Sequence, residues 1–201
     1  MARWSTMTWA GWSTMTFMAI GVAAYGIGGV IVGIDQMIPA MAYHLPDRAS
    51  FAAAHFAVGG LVLAIGPFQF LPVLRTRWPS VHRWIGRVYV AGCLFSGVAA
   101  LILATNTNAG PIAQTGFTLL AVYWLISTTM AFLKARSRVF IKHRKWMVRS
   151  YALTLAAVTL RIYLPLSMMG FGLDFLDVYP AISFACWVPN AIIAEWLLKQ
   201  R

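Results

Sequence analysis

Apolar residues run along this chain in six blocks, at about 14–38, 50–74, 82–104, 112–133, 145–169 and 175–198. Each block is long enough, at 1.5 Å per residue, to cross a hydrocarbon layer of about 30 Å as a helix. The connections Pro39 to Ala49, Arg75 to Val81, Thr105 to Pro111, Lys134 to Arg144 and Gly170 to Asp174 each hold a Pro, a Gly or a cluster of charges. The pattern predicts an all-α fold: a polytopic membrane protein whose residues 1–201 form a single six-helix transmembrane bundle.

Composition agrees. Of the 201 residues, 60% are hydrophobic and 10% charged, whereas a soluble domain carries about 25% charge. Disorder, a disulfide scaffold and a soluble enzyme on an anchor are excluded, because no polar stretch is long enough to fold separately. Cys93 and Cys186 each fall deep within a block, where small apolar packing is expected rather than a disulfide. Residues 17–34 followed by Pro39-Ala40-Met41-Ala42 resemble a signal peptide with a cleavage site, but the segment is expected to stay as the first span.

The net charge is +11. Arg3 precedes span one; Arg75, Arg77, Arg83 and Arg87 flank the 2–3 connection; Lys134, Arg136, Arg138, Lys142, Arg144, Lys145 and Arg149 flank the 4–5 connection; Lys199 and Arg201 end the chain. All of these fall on one face of a six-span arrangement, and Asp35, Asp47, Asp174 and Asp177 fall on the other. The positive-inside rule then places both termini in the cytoplasm, with the chain a multi-pass protein of a bacterial inner membrane. The basic residues stand beside Trp78, Trp84 and Trp146, as anchors to anionic head groups do, which argues against nucleic acid as a partner.

In lipid the buried face of a helix is marked by small and polar residues. Such stripes read Gly21, Tyr25, Gly28, Val32 and Asp35 in span one, and His55, Gly59, Val62, Gly66 and Gln69 in span two. Span three gives His82, Gly86, Tyr89, Cys93, Ser96 and Ala100, and span five gives His143, Met147, Ser150, Thr154, Ala157 and Arg161. The small residues need only helix packing as an explanation. The histidines and Arg161 need more, because an ionisable group within the bilayer costs about 2.5–3.5 kcal/mol on insertion scales.

Two stretches match: His82-Arg83-Trp84-Ile85-Gly86-Arg87 and His143-Arg144-Lys145-Trp146-Met147-Val148-Arg149. A duplicated two-span unit would account for them, although span four has no counterpart of His55. Each combines a helix start, whose free N–H groups favour anions, with guanidinium forks. Three occupants suit the pair: phospholipid head groups, the propionates of a non-covalent haem b ligated by His82 and His143, or the acidic group of another substrate. Arg83, Arg87, Arg144 and Arg149 are the candidate anion partners.

On the far face, Asp35, His55 and Arg161 reach a common level. An Arg161–Asp35 ion pair is one reading; a polar site for a quinone or second haem is the other, with His44 as a possible partner. Beside Leu45-Pro46-Asp47, His44 is expected to be an exposed loop histidine. Glu195 is expected to snorkel or to pair with Lys199, and Asn190 to repair a kink at Pro189.

From His55 to Pro165 the chain resembles the integral-membrane family known as domain of unknown function 2306. The resemblance rests on His55 with Gly59, Gly66-Pro67-Phe68-Gln69-Phe70, the run from His82 to Tyr89, and above all the run from His143 to Thr154 with Thr159-Leu160-Arg161. It implies a compact multi-span membrane protein. More loosely the chain is similar to small b-type cytochromes of the cytochrome b561 kind, which set one histidine pair near each membrane face. Here His82 and His143 make one evident pair and His55 has no partner on a span, which implies one haem on the cytoplasmic side.

Three functions follow: a haem redox protein exchanging electrons with quinone; an accessory subunit of a larger membrane complex or a lipid-binding protein; and a small carrier. Soluble-enzyme chemistry finds no phosphate loop, nucleophile beside a histidine, or paired carboxylates.

Overall fold

A computed structural model describes residues 6–200; Arg3 and Arg201, counted above with the basic face, lie outside the described residues. Six helical spans are long and apolar enough to cross a membrane: Trp9–Val32, Met41–Phe70, Pro79–Thr105, Gly110–Arg136, Phe140–Gly170 and Phe175–Lys199. No strand occurs among the described residues. Helices are what an apolar solvent demands, since each backbone N–H and C=O must find its partner within its own segment. Consecutive spans run in opposite directions. One end of the bundle thus carries the 2–3 and 4–5 connections with their Lys and Arg and is called the basic end below.

Departures from regular helix fall where the sequence weakens the ladder. Span two tightens into a 3-10 segment at Gly66–Phe70, around Pro67. Span one stops at Gly33, whose φ of 137° is a conformation that side chains with a β-carbon rarely adopt. Span six breaks at Cys186 and Trp187, ahead of Pro189. There Asn190 does what the sequence suggests: its amide donates to the carbonyls of Cys186 (3.2 Å) and Ala152 (3.3 Å) and to Thr159 Oγ1 (2.9 Å), tying spans five and six together. The π-helical end of span five at Leu166–Gly170 directly follows Pro165, which removes a backbone donor, whereas the break at Leu155 has no comparable signal in the sequence.

The connections are more ordered than their composition suggests. Pro39–His44 forms a 3-10 helix, and the next α-helix starts at Leu45, so much of the expected 39–49 loop is helical. Tyr43 and Thr107 share a hydroxyl hydrogen bond of 3.0 Å, and Arg48 donates to Asn106 Oδ1 at 2.9 Å. The 1–2 connection is thereby fastened to the 3–4 connection.

Span four lies against spans three, five and six, and span two against spans one and three. Glycines set these distances. A β-carbon on Gly60 would sit 3.1 Å from the Ala23 carbonyl, and one on Gly26 3.4 Å from the Phe56 carbonyl, so spans one and two cross closely. Span one consequently buries Thr16, Ala19, Ala23 and Gly26. This corrects the stripe through Gly21, Tyr25, Val32 and Asp35, all of which are exposed. Span one, Trp9–Val32, holds no Asp, Glu, His, Lys or Arg that would fix its rotation, and close packing decided instead. The stripes of spans two, three and five do face the interior, from Val62 to Gln69, Tyr89 to Ser96 and Ser150 to Thr154. Cys93 and Cys186 are free and buried.

The core holds Val62, Tyr89, Cys93, Trp124, Tyr151 and Leu153. Its polar atoms are paired: Tyr89 Oη lies 3.1 Å from Ser150 Oγ and 3.0 Å from Thr154 Oγ1, Trp124 Nε1 donates to Thr154 Oγ1 at 2.9 Å, and Thr128 Oγ1 is 2.7 Å from Ser150 Oγ. This belt joins spans three, four and five.

Two outcomes follow from this packing. A β-carbon on Gly66 would overlap the Tyr151 ring, whereas one on Gly21 meets nothing within 4 Å. Gly66→Ala is expected to cost about 1–3 kcal/mol and lower the thermal unfolding midpoint in detergent, with Gly21→Ala leaving it unchanged. Tyr89→Phe leaves two hydroxyls short of a partner and is expected to cost about 1 kcal/mol in the same measurement.

Candidate functional site

At the basic end, His82 and His143 are each the fourth residue of their helices, Pro79–Thr105 and Phe140–Thr154. Both are half-buried. His143 Nδ1 donates to the Ala131 carbonyl at 2.9 Å, a bond that needs the proton on Nδ1 and leaves the Nε2 lone pair free in the neutral ring. His82 Nδ1 is buried without a partner. The His82 ring lies in the electrostatic field of Arg75, His143 and Arg83. Desolvation, and then the nearby Arg144, push Arg75 below the usual guanidinium range.

Helical register relates the two histidines further. Tyr89 stands seven residues after His82, and Ser150 seven after His143. Tyr89 and Ser150 touch through their hydroxyls, and seven residues are close to two helical turns. His82 and His143 therefore lie on the same stripes as that contact, about 10 Å nearer the basic end. Gly86 removes side-chain bulk from the intervening turn, and Gln69 Oε1 lies 3.5 Å from where a Gly86 β-carbon would be. Gln69 is buried, and its Nε2 has no partner.

The candidate anion partners differ in availability. Arg83 donates to Ser80 Oγ at 3.1 Å, Arg87 lies 4.9 Å over the Trp84 ring, and Arg144 is exposed. Arg149 is committed elsewhere: its Nε and a terminal nitrogen grip Glu195 at 2.5 and 2.9 Å, and the guanidinium covers the Trp146 ring at 4.7 Å. Two expectations are thereby corrected. Glu195 pairs with Arg149 across spans five and six rather than with Lys199, and Arg149 leaves the anion cradle, because a two-pronged guanidinium holds the carboxylate better than the single ammonium of Lys199 one turn away.

Away from the basic end, His44, His55 and Arg161 line one cavity of about 220 Å³. His44 is 1% exposed, in contrast to the expected loop histidine, because the 3-10 helix Pro39–His44 folds it inward. Its Nδ1 has no partner. His55 Nδ1 lies 3.3 Å from the Ser96 carbonyl and 3.1 Å from Ser96 Oγ, whose own proton goes to the His55 carbonyl at 3.2 Å. The Arg161–Asp35 ion pair does not form. Asp35 is exposed and absent from the cavity wall, while Arg161 donates to the Ala157 carbonyl at 3.1 Å and lies over the Tyr25 ring at 5.5 Å. Asp35 sits beyond the break at Gly33, in the short helix Ile34–Met37. Tyr43 and Tyr179 also line the cavity; the stripe pattern gives no hint of them, since aromatic rings near helix ends read equally as interfacial anchors.

Among the described residues, no group of three or more His, Cys, Asp or Glu converges as a metal site. A metal resting on His82 and His143 would draw its remaining donors from outside the side chains.

A family profile described as a predicted membrane protein, domain of unknown function 2306, matches residues 52–198. No curated protein and no solved structure matches the chain, and the looser likeness to cytochromes of the b561 kind gains no support. The matched region takes in spans three to five entire, span six to its penultimate residue and most of span two, with both histidines of the basic end and Arg161. On that match, the chain is a multi-pass membrane protein belonging to the family of predicted membrane proteins called domain of unknown function 2306.

Proposed function

We propose that this protein is a membrane redox protein whose His82 and His143 hold a b-type haem at the basic end, exchanging electrons with a quinone. The observation that carries this reading is the shared register of the two histidines, seven residues from side chains that touch across spans three and five. Three further features support it. The proton of His143 is turned toward the Ala131 carbonyl, which orients Nε2 as a ligand, as backbone acceptors do for metal-bound histidines. His82 Nδ1 and Gln69 Nε2 are buried polar atoms without partners beside the bulk-free Gly86. Arg83, Arg87 and Arg144 supply the positive charge that propionates need. A haem held there supplies a one-electron couple. The chain's own share is to orient both imidazoles, to neutralise the propionates and to close the site against water with the Tyr89 belt.

By the positive-inside rule the basic end faces the cytoplasm of a bacterial inner membrane and holds both termini. A second reading, lipid anchoring or service as a non-catalytic subunit, is favoured by Arg87 over the exposed Trp84, an arrangement suited to anionic head groups.

An absorption spectrum of the detergent-purified protein, oxidised and then reduced with dithionite, with pyridine extraction of any haem, separates the two. The redox reading expects a Soret band that sharpens on reduction and is lost in His82→Ala and in His143→Ala. A band retained in both variants overturns the His82 and His143 site, and a flat spectrum from protein made with ample haem overturns the redox reading and leaves the lipid-anchored one.

A further inference from the structure

The cavity away from the basic end has a composition that points to a definite ligand chemistry, independent of the two-histidine reading. Its volume of about 220 Å³ would hold about seven waters, or a molecule of about ten non-hydrogen atoms. Most of the wall is apolar, with Leu103, Phe117 and Leu160 among its side chains. Three basic side chains reach it, His44, His55 and Arg161, and no Asp or Glu does.

Arg161 meets only dipoles. Its partners are the Ala157 carbonyl and the face of Tyr25, and its Nε is buried without an acceptor. A guanidinium inside a bilayer-spanning bundle is ordinarily matched by a carboxylate, because desolvating it alone is costly. The acidic residues of that end, Asp35, Asp47, Asp174 and Asp177, are all exposed and outside the cavity wall. His44 adds a second unsatisfied nitrogen in a side chain 1% exposed. His55 is different, since Ser96 already holds its Nδ1.

We propose that this cavity binds a small amphiphilic monoanion: a carboxylate on a compact aromatic or short aliphatic body. Arg161 supplies the counter-charge, His44 a hydrogen bond to the same head, and Leu103, Phe117 and Leu160 the apolar seat. A neutral carbonyl compound such as a benzoquinone fits the volume but leaves the guanidinium uncompensated, so it ranks below a carboxylate of equal size.

The test uses the full chain purified in a nonionic detergent, titrated calorimetrically with benzoate and with its neutral match benzamide, and followed in parallel by thermal unfolding. Saturable one-to-one binding of benzoate is expected, with a raised unfolding midpoint and at least tenfold weaker binding of benzamide. Arg161→Gln is expected to weaken benzoate at least tenfold. In the absence of benzoate that variant should unfold at the parent's midpoint or above it, because an uncompensated charge has been removed. Ala157→Leu, which narrows the cavity and keeps Arg161, should also abolish binding, and it decides the matter if Arg161→Gln does not fold. Equal affinity for benzoate and benzamide, benzoate binding unchanged in either variant, or no saturable benzoate binding by the parent overturns the proposal.

Discussion

The hydroxyl of Tyr89, bonded at once to Ser150 and Thr154, is the contact on which the rest of the interior is arranged. In an apolar surrounding a phenol without partners is expensive, and two hydroxyls on one neighbouring helix fix both the rotation and the height of span three against span five. Thr128 and Trp124 extend the same network to span four. Three helices are thereby held in one register by a few side-chain hydrogen bonds.

That register divides the bundle into two compartments. Below the belt, the stripes continue to His82 and His143, and Gln69 approaches Gly86 one turn above His82. Above it, Trp124 and Thr154 themselves line the cavity that His44, His55 and Arg161 share. The two regions differ in chemistry. The basic end couples two imidazoles to exposed guanidinium groups, whereas the cavity sets an unmatched cation among leucines, a tryptophan and phenols. The family profile over residues 52–198 takes in the two histidines of the basic end and the His55 and Arg161 of the cavity, but not His44, and it assigns neither region a reaction.

The ion pairs show how the bundle distributes charge. Glu195 is placed by the break at Cys186 and Trp187 to meet Arg149, and their two-pronged bond closes spans five and six at the basic end. Asp47 is spent on Arg48 at the other end. Neither carboxylate reaches Arg161, which gives that side chain its unusual situation. The fastening of Tyr43 to Thr107 and of Arg48 to Asn106 holds the 3-10 helix over the bundle and keeps His44 inside.

The sequence by itself determined the number of spans, their direction relative to the basic end, and the inward faces of spans two, three and five. Length and hydropathy answer directly to bilayer thickness, and polar residues on an apolar helix can face only inward. It also identified the kink at Pro189 and the histidines worth attention. The inward face of span one was decided only in three dimensions, because most of that helix carries no ionisable residue and close packing through Ala19, Ala23 and Gly26 set its rotation. The partners of Arg149, Glu195 and Arg161, and the burial of His44, were likewise tertiary outcomes. Each depends on where a helix breaks or a connection folds back, and a one-residue change in a turn redirects a side chain by about 100° around the axis, more than periodicity along a single helix can reveal.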